Sequence, residues 1–227
     1  MTRGEIVRFL ILRSIGNFLV LFAIFGVLAT FGPVLYYEIS FRIKEIRGIN
    51  YHIAQASEAQ APMSPGSGFG SILTGPREQI LIPKDTEFDI LIPKIGANSR
   101  IFPNVSPSNP NEFLPILQKG VAHARGTVFP GMPGNIYLFA HSTDNFWDVG
   151  RYNAVFYLIK DLSPGDEIVI FFEGQRHNYT VTGSKTVDPS DVSYIVDSKT
   201  GKEQLILQTC WPPGTTWKRL LVFARPK

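Results

Sequence analysis

The residues best able to do covalent chemistry lie in Gln204–Leu221. The chain's single cysteine, Cys210, ends an apolar, β-type run, Leu205-Ile206-Leu207-Gln208-Thr209. Trp211-Pro212-Pro213-Gly214 follows, and neither strand nor helix continues through it. A second apolar run, Leu220-Leu221-Val222-Phe223, starts directly after Arg219. A thiol therefore closes one strand and a guanidinium opens the next. The loop between them is long enough for adjacent strands to carry both groups to one face. A neighbouring cation stabilises thiolate, the nucleophilic form of cysteine. Arginine cannot act as a base, but it can donate to a developing oxyanion. A proton shuttle is available upstream. Asn135-Ile136-Tyr137-Leu138-Phe139-Ala140 reads as an apolar strand, ending on His141 with Ser142-Thr143-Asp144 after it. A histidine at the end of a buried strand, followed by polar residues, is well placed for a cleft.

Each of these residues has rivals. His52 follows the apolar N-terminal stretch and reads as solvated; His177 follows a hairpin turn and reads as a surface strand residue. His123, within Gly120-Val121-Ala122-His123, is the serious competitor for the base. Arg225 competes with Arg219 but belongs at the far end of its strand. Thr209 is either a plain strand threonine or a hydroxyl facing substrate. Trp211 and Trp217 flank the loop between the two strands, where rigid aromatics line a peptide groove or simply pack the loop.

Three stretches, LFAHST at 138–143, LQTCWP at 207–212 and KRLLVFA at 218–224, together resemble the sortases, the membrane-anchored cysteine transpeptidases of bacterial surfaces. The family carries a catalytic His at a strand end, a Cys closing a Thr-Leu-any-Thr-Cys motif, and an Arg on the following strand. By that resemblance His141, Cys210 and Arg219 are the catalytic residues; Thr209, Trp211 and Trp217, from their positions beside the thiol and its loop, are candidates for contact with substrate. Ile206 stands where the motif's first Thr falls, while Leu207, Thr209 and Cys210 match. The family often carries a His at the position of His123 without using it in catalysis. Ile90-Leu91-Ile92-Pro93-Lys94-Ile95 and Pro130-Gly131-Met132-Pro133-Gly134-Asn135 resemble the family's opening strand and the turn before its histidine strand. The resemblance runs from about Phe88 to Pro226.

Composition narrows the alternatives. A length of 227 residues holds one ordinary domain plus an appendage. A net charge of +3, with no basic block interleaved with aromatics, gives no reason to expect a nucleic-acid partner. One cysteine excludes an internal disulfide. No cofactor is called for, and the scattered acidic residues show no metal-ligand spacing; calcium dependence is left open.

Residues 1–13 carry Arg3, Arg8 and Arg13, and the 24 residues from Ser14 to Tyr37 contain no charge. As a helix they extend about 36 Å, enough to cross a hydrocarbon core of about 30 Å. A cleaved signal peptide is the competing reading, but this apolar stretch is long and runs into Pro33, Leu35 and Tyr36 rather than a small-residue cleavage site. Basic residues balance across the span; the resemblance implies a cytoplasmic N-terminus and an extracytoplasmic domain, hence a single-pass protein of the cell membrane. Residues 38–79 are expected to form a juxtamembrane segment and a linker, flexible where Met63-Ser64-Pro65-Gly66-Ser67-Gly68 occurs. The catalytic domain is expected over 80–227. Prolines in Ile80-Leu81-Ile82-Pro83 and Ile90-Leu91-Ile92-Pro93 mark both runs as edge or broken strands.

Many short strands with turn signals and only scraps of helix argue an all-β barrel or sandwich. The resemblance makes it a closed eight-stranded barrel with short helices. It also implies cleavage of a Leu-Pro-any-Thr-Gly-like signal through a thioacyl enzyme. The implied partners are surface proteins bearing that C-terminal signal and an amine acceptor on cell wall or pilin. Two other readings remain: a cysteine hydrolase that passes the acyl group to water, and a membrane-tethered barrel that only binds. Residues 57–87 lack the Asp-Pro-aromatic motif that often forms a lid in pilin-polymerising sortases.

Overall fold

The structure, a computed structural model, describes residues 3–53, 78–142, 155–196, 201–213 and 215–227. It divides into two units, Met1–Ile43 and Lys44–Lys227. The described residues of the first lie within a single helix, α1 (Arg3–Ile46). Its stretch Arg3–Leu28 has a mean hydropathy of 2.1 and no buried residue, so an apolar surface is presented on every side. The helix stops at Gly48, whose φ of 64° only glycine adopts without strain. Gly48 and Ile49 return their amides to the Glu45 and Lys44 carbonyls, each at 3.0 Å, which satisfies two of the helix's open acceptors.

The second unit holds a short parallel pair, β1 (Asn50–Ile53) and β2 (Glu78–Leu81), and a barrel of eight strands. These are β3 (Phe88–Ile92), β4 (Ala97–Val105), β5 (Val121–Ala124), β6 (Asn135–Phe139), β7 (Glu167–Phe172), β8 (Gln175–Val187), β9 (Gln204–Trp211) and β10 (Lys218–Pro226). They close in the order β10-β8-β7-β3-β4-β5-β6-β9, leaving no open sheet edge. Two short helices lie in the connections: α2 (Pro110–Leu117) between β4 and β5, and α3 (Ser193–Val196) between β8 and β9.

Period-two alternation sorts the side chains into two clusters. Ile90, Ile136, Leu138, Ile168, Ile170, Tyr179, Leu205, Leu207 and Val222 point inward and fill the barrel. Ala122, Tyr137, Phe139, Ile206 and Leu221 point outward into a second buried cluster with Leu117 of α2, against which Phe113 and Ile195 pack. The outer wall formed by β5, β6, β9 and β10 is therefore a floor with helices above it. The β7–β8 hairpin turns at Glu173-Gly174, both with positive φ, and β8 alternates as expected, with Tyr179 and Val181 buried against more exposed neighbours.

Two expectations need adjustment. Ile90-Leu91-Ile92 is no edge or broken strand: β3 pairs with both β4 and β7 and is buried throughout. Pro93 falls just beyond it, at the start of a 3-10 turn, Pro93–Ile95, where its missing N–H costs no ladder bond. The region expected as linker also contains a paired strand, because β1 joins β2 within the unit that begins at Lys44. Residues 54–77, with the glycine-rich stretch, and 143–154 lie outside the described residues. The segment Pro83–Glu87 runs over β3 and β4: the Lys84 amide donates to the buried Asp89 carboxylate at 2.5 Å, and Asn98 Nδ2 donates to the Ile82 carbonyl. Burial pushes the Asp89 carboxyl up to about 6.

Candidate active site

The register of three neighbouring strands assembles the site. Arg219 on β10 stands directly opposite Cys210 on β9. Phe139 on β6 pairs with Gln208 on β9 in parallel, and the Ala140 amide continues the ladder to the Gln208 carbonyl. Two residues further along each strand bring His141 beside Cys210. Adjacent strands lie about 4.8 Å apart, so the histidine, thiol and guanidinium stand in a row across the wall, with the thiol in the middle. All three share the outward face of Tyr137, Phe139 and Leu221.

They line one cleft of about 430 Å³. Its floor is Tyr137, Phe139, Gln208 and the row itself. One wall is α2 with Phe113, Leu114 and Leu117; the other is Asp191, Val192 and Ile195, around α3. Local sequence builds each wall. Asn109 caps α2, its side chain accepting from the Asn111 amide, and Pro110 starts the helix where an amide would go unused. Phe113 sets its ring edge-on to Phe139. Asp191 Oδ1 accepts from the Ser193 amide and hydroxyl at 3.2 and 2.6 Å, which holds its carboxyl below the usual range. Asn135 Nδ2 donates to the Tyr194 carbonyl and ties α3 to β6. Thr215 and Thr216, from the loop between Cys210 and Arg219, complete the lining. Arg219 Nη1 donates to the carbonyls of Thr216 and Lys218, which orients the guanidinium and leaves further N–H groups of its five for a ligand.

The remaining candidates fall elsewhere. Thr209 alternates with Cys210 and points inward; it is 2% exposed, and its hydroxyl donates to the Ala140 carbonyl at 3.2 Å. That bond joins the end of β6 to β9, so Thr209 positions His141 and Cys210 rather than facing the cleft. Trp211 packs part-buried against the interior cluster, and Trp217 is 72% exposed; neither lines the cleft. Arg225 pairs with Thr180 at the far end of β10.

His123 is fully buried and faces the barrel interior. Its Nδ1 accepts from the Asn104 amide at 3.3 Å, its Nε2 lies 3.0 Å from the Val128 carbonyl and 2.9 Å from the Thr127 hydroxyl, and its ring stacks on Phe129. Burial lowers its pKa, so it is a neutral structural ring. His177 is half-buried on β8 opposite Ile170, and His52 lies on β1. Among the described residues no group of three His, Cys, Asp or Glu side chains could hold a metal ion.

Sequence reasoning missed the partners of the row. Tyr137 is 3% exposed and its hydroxyl donates to Gln208 Oε1 at 2.7 Å. Desolvation drives its pKa upward, against the lowering effect of Arg219. The available signal was parity: Tyr137 and Gln208 occupy the outward positions preceding Phe139 and Cys210.

A closed barrel carrying thiol, imidazole and guanidinium on three adjacent strands of its outer wall defines a class, and the chain belongs to the sortase family: the sortase domain matches residues 90–227. Among curated proteins it is 29% identical over 137 residues to sortase D of Bacillus subtilis (strain 168), covering 59% of this chain and 60% of that protein. Among solved structures it is similar to sortase C-1 from Actinomyces oris, at 25% identity and a TM-score of 0.53, over 63% of this chain and 76% of that one. It is also similar to Clostridium perfringens sortase C with the C-terminal cell wall sorting motif, at 26% identity and a TM-score of 0.50, over 61% and 69%.

Proposed function

We propose that the chain is a membrane-anchored cysteine transpeptidase. It cleaves a Leu-Pro-any-Thr-Gly-like sorting signal between Thr and Gly and passes the acyl group to a surface amine. The observation that carries this reading is the meeting of Cys210, His141 and Arg219 in one cleft with apolar walls. Family membership and the likeness to a sortase structure bearing a sorting motif support it.

The Cys210 thiolate attacks the scissile carbonyl and a C–S bond forms. Arg219 donates to the oxyanion, a contribution of about 3 kcal/mol in comparable sites. As the C–N bond breaks, His141 gives its proton to the departing amine. The resulting thioester is attacked by the incoming amine, whose proton passes to His141, and the thiolate leaves. The row fits these steps because the nucleophile stands between the proton carrier and the oxyanion donor. The apolar walls suit the Leu and Pro of such a signal. The exposed apolar surface of α1 through Leu28 supports its reading as a membrane anchor, with the N-terminus cytoplasmic and residues 80–227 outside as the catalytic domain. Surface proteins carrying the signal and an amine of cell wall or pilin are the partners in this reading.

The test uses the full chain in detergent micelles with Leu-Pro-any-Thr-Gly peptides, with and without added amines, followed by intact mass and product analysis. The expected result is an acyl adduct on Cys210 that amines convert to amide product. An adduct released only to water would make the protein a hydrolase, and absence of any adduct or cleavage would remove the enzymatic reading.

A further inference from the structure

We infer that Gln208 is a specificity-determining residue, held by Tyr137 so that the cleft selects a peptide side chain bearing a carbonyl-type hydrogen-bond acceptor beside the scissile bond. The inference rests on the reading of the cleft as a peptide site.

Gln208 occupies the outward position of β9 that precedes Cys210, so the two lie about 6.6 Å apart along the strand, the two-residue repeat. An extended peptide with its reacting carbonyl at Cys210 places the residue one or two positions before that carbonyl over Gln208. The Tyr137 hydroxyl donates to Gln208 Oε1. At 2.7 Å this bond orients the carboxamide, with Oε1 turned toward Tyr137. The acceptor end of Gln208 is thereby occupied, and its NH2 group remains to donate. With Arg219 two residues from Gln208's cross-strand partner Leu221, the floor beside the thiol is rich in donors, while Phe113, Leu114 and Ile195 make the walls apolar. Among the described residues the one carboxylate lining the cleft, Asp191, already accepts from Ser193 through one oxygen. A carboxamide or carboxylate side chain satisfies this floor. An apolar isostere leaves the Gln208 NH2 without a partner, and sites built to hydrogen-bond a substrate reject analogues that lack the group.

Two matched sets of sorting peptides test this, with Asn against Leu and Gln against Met at each position before the scissile bond. Fluorescence anisotropy measures their binding to the full chain carrying Cys210→Ala, alone and combined with Gln208→Leu, Gln208→Glu or Tyr137→Phe; kcat and KM are measured with Cys210 intact. The expected result is about tenfold preference for the acceptor-bearing peptide at one position, about the worth of one good hydrogen bond. That preference should vanish in Gln208→Leu, shift toward a Lys-bearing peptide in Gln208→Glu, and weaken in Tyr137→Phe mainly through KM. Folding of each variant is checked by its melting temperature. An unchanged preference in folded Gln208→Leu, no preference in the parent chain, or no peptide binding at all overturns the inference. Selective binding without any acylation of Cys210 would leave it standing while removing the transpeptidase reading.

Discussion

His123 and His141 lie on neighbouring strands, and their fates are opposite. His123 points into the barrel, stacks on Phe129 and has both nitrogens within hydrogen-bond reach of Asn104, Thr127 and Val128. His141 follows β6 onto the outer wall and lines the cleft with Cys210 and Arg219. The same contrast runs along each strand of the site. Inward positions are Ile136 and Leu138 on β6 with Ala140 just beyond it, Leu205 and Leu207 on β9, and Leu220 and Val222 on β10. The outward positions of β9 change from Ile206 to Gln208 to Cys210 as the strand approaches its end. The lesson is that one strand serves two purposes through parity: its inward face supplies the packing that fixes the backbone, and its outward face spends that rigidity on chemistry.

The largest effects should come from the outward face. Cys210→Ala should abolish acyl transfer, and Arg219→Lys should lower kcat by about a hundredfold or more, because an ammonium lacks the planar fork; melting temperature should change little in either case. His141→Ala should behave alike. His123→Ala should break the parallel, leaving a folded fraction that retains activity but is about 2–3 kcal/mol less stable in denaturant titration, since buried partners lose their hydrogen bonds. Should His123→Ala abolish turnover in well-folded protein, the assignment of roles by face would be wrong.

Away from the cleft, Asp89 is a buried charge-bearing group on the buried strand β3. Its carboxyl, ordinarily near 3.8, stands at about 6 in the fold because burial disfavours the charge. The folded state therefore prefers the protonated form. This contribution is complete below about 3.8 and is lost as pH rises through 6. Among its charged neighbours, Asp85 raises the value further and itself pairs with Arg100. Thermal denaturation from pH 4 to 7.5 should show stability falling with pH by at most about 1.4 kcal/mol per unit from this group, and Asp89→Asn should flatten that part of the profile. Smaller still, Thr209→Val should cost about 1 kcal/mol for the bond to Ala140, with a modest loss of kcat as the strand ends loosen. Trp217→Ala, at an exposed position, should stay within about 0.5 kcal/mol.

Much of this was legible in the chain because the informative features are local. Apolar runs ending at Cys210 and His141, and beginning after Arg219, located the strand ends, and Gly and Pro clusters located the turns. The identity of the strands' neighbours was not legible. The parallel pairing of β6 with β9, which sets His141 beside Cys210, joins segments some seventy residues apart and depends on barrel closure. Pro93 misled because a proline one residue beyond a strand reads like one inside it. Thr209 was ambiguous because one residue of register decides between barrel interior and cleft, and Trp211 and Trp217 drew notice as aromatics near a loop, which says nothing of where their rings point. Parity places Tyr137 and Gln208 on the outward face, but their partnership joins β6 to β9 and depends on that pairing.

The most direct test of the account is the intact mass of the full chain after brief incubation with a sorting-signal peptide, taken for the unmodified protein beside His123→Ala and His141→Ala, with peptide mapping of any adduct. An acyl group should appear on Cys210 in the unmodified protein and in folded His123→Ala, and little or none in His141→Ala. An adduct that forms equally fast in His141→Ala, or that maps to a residue other than Cys210, would contradict it.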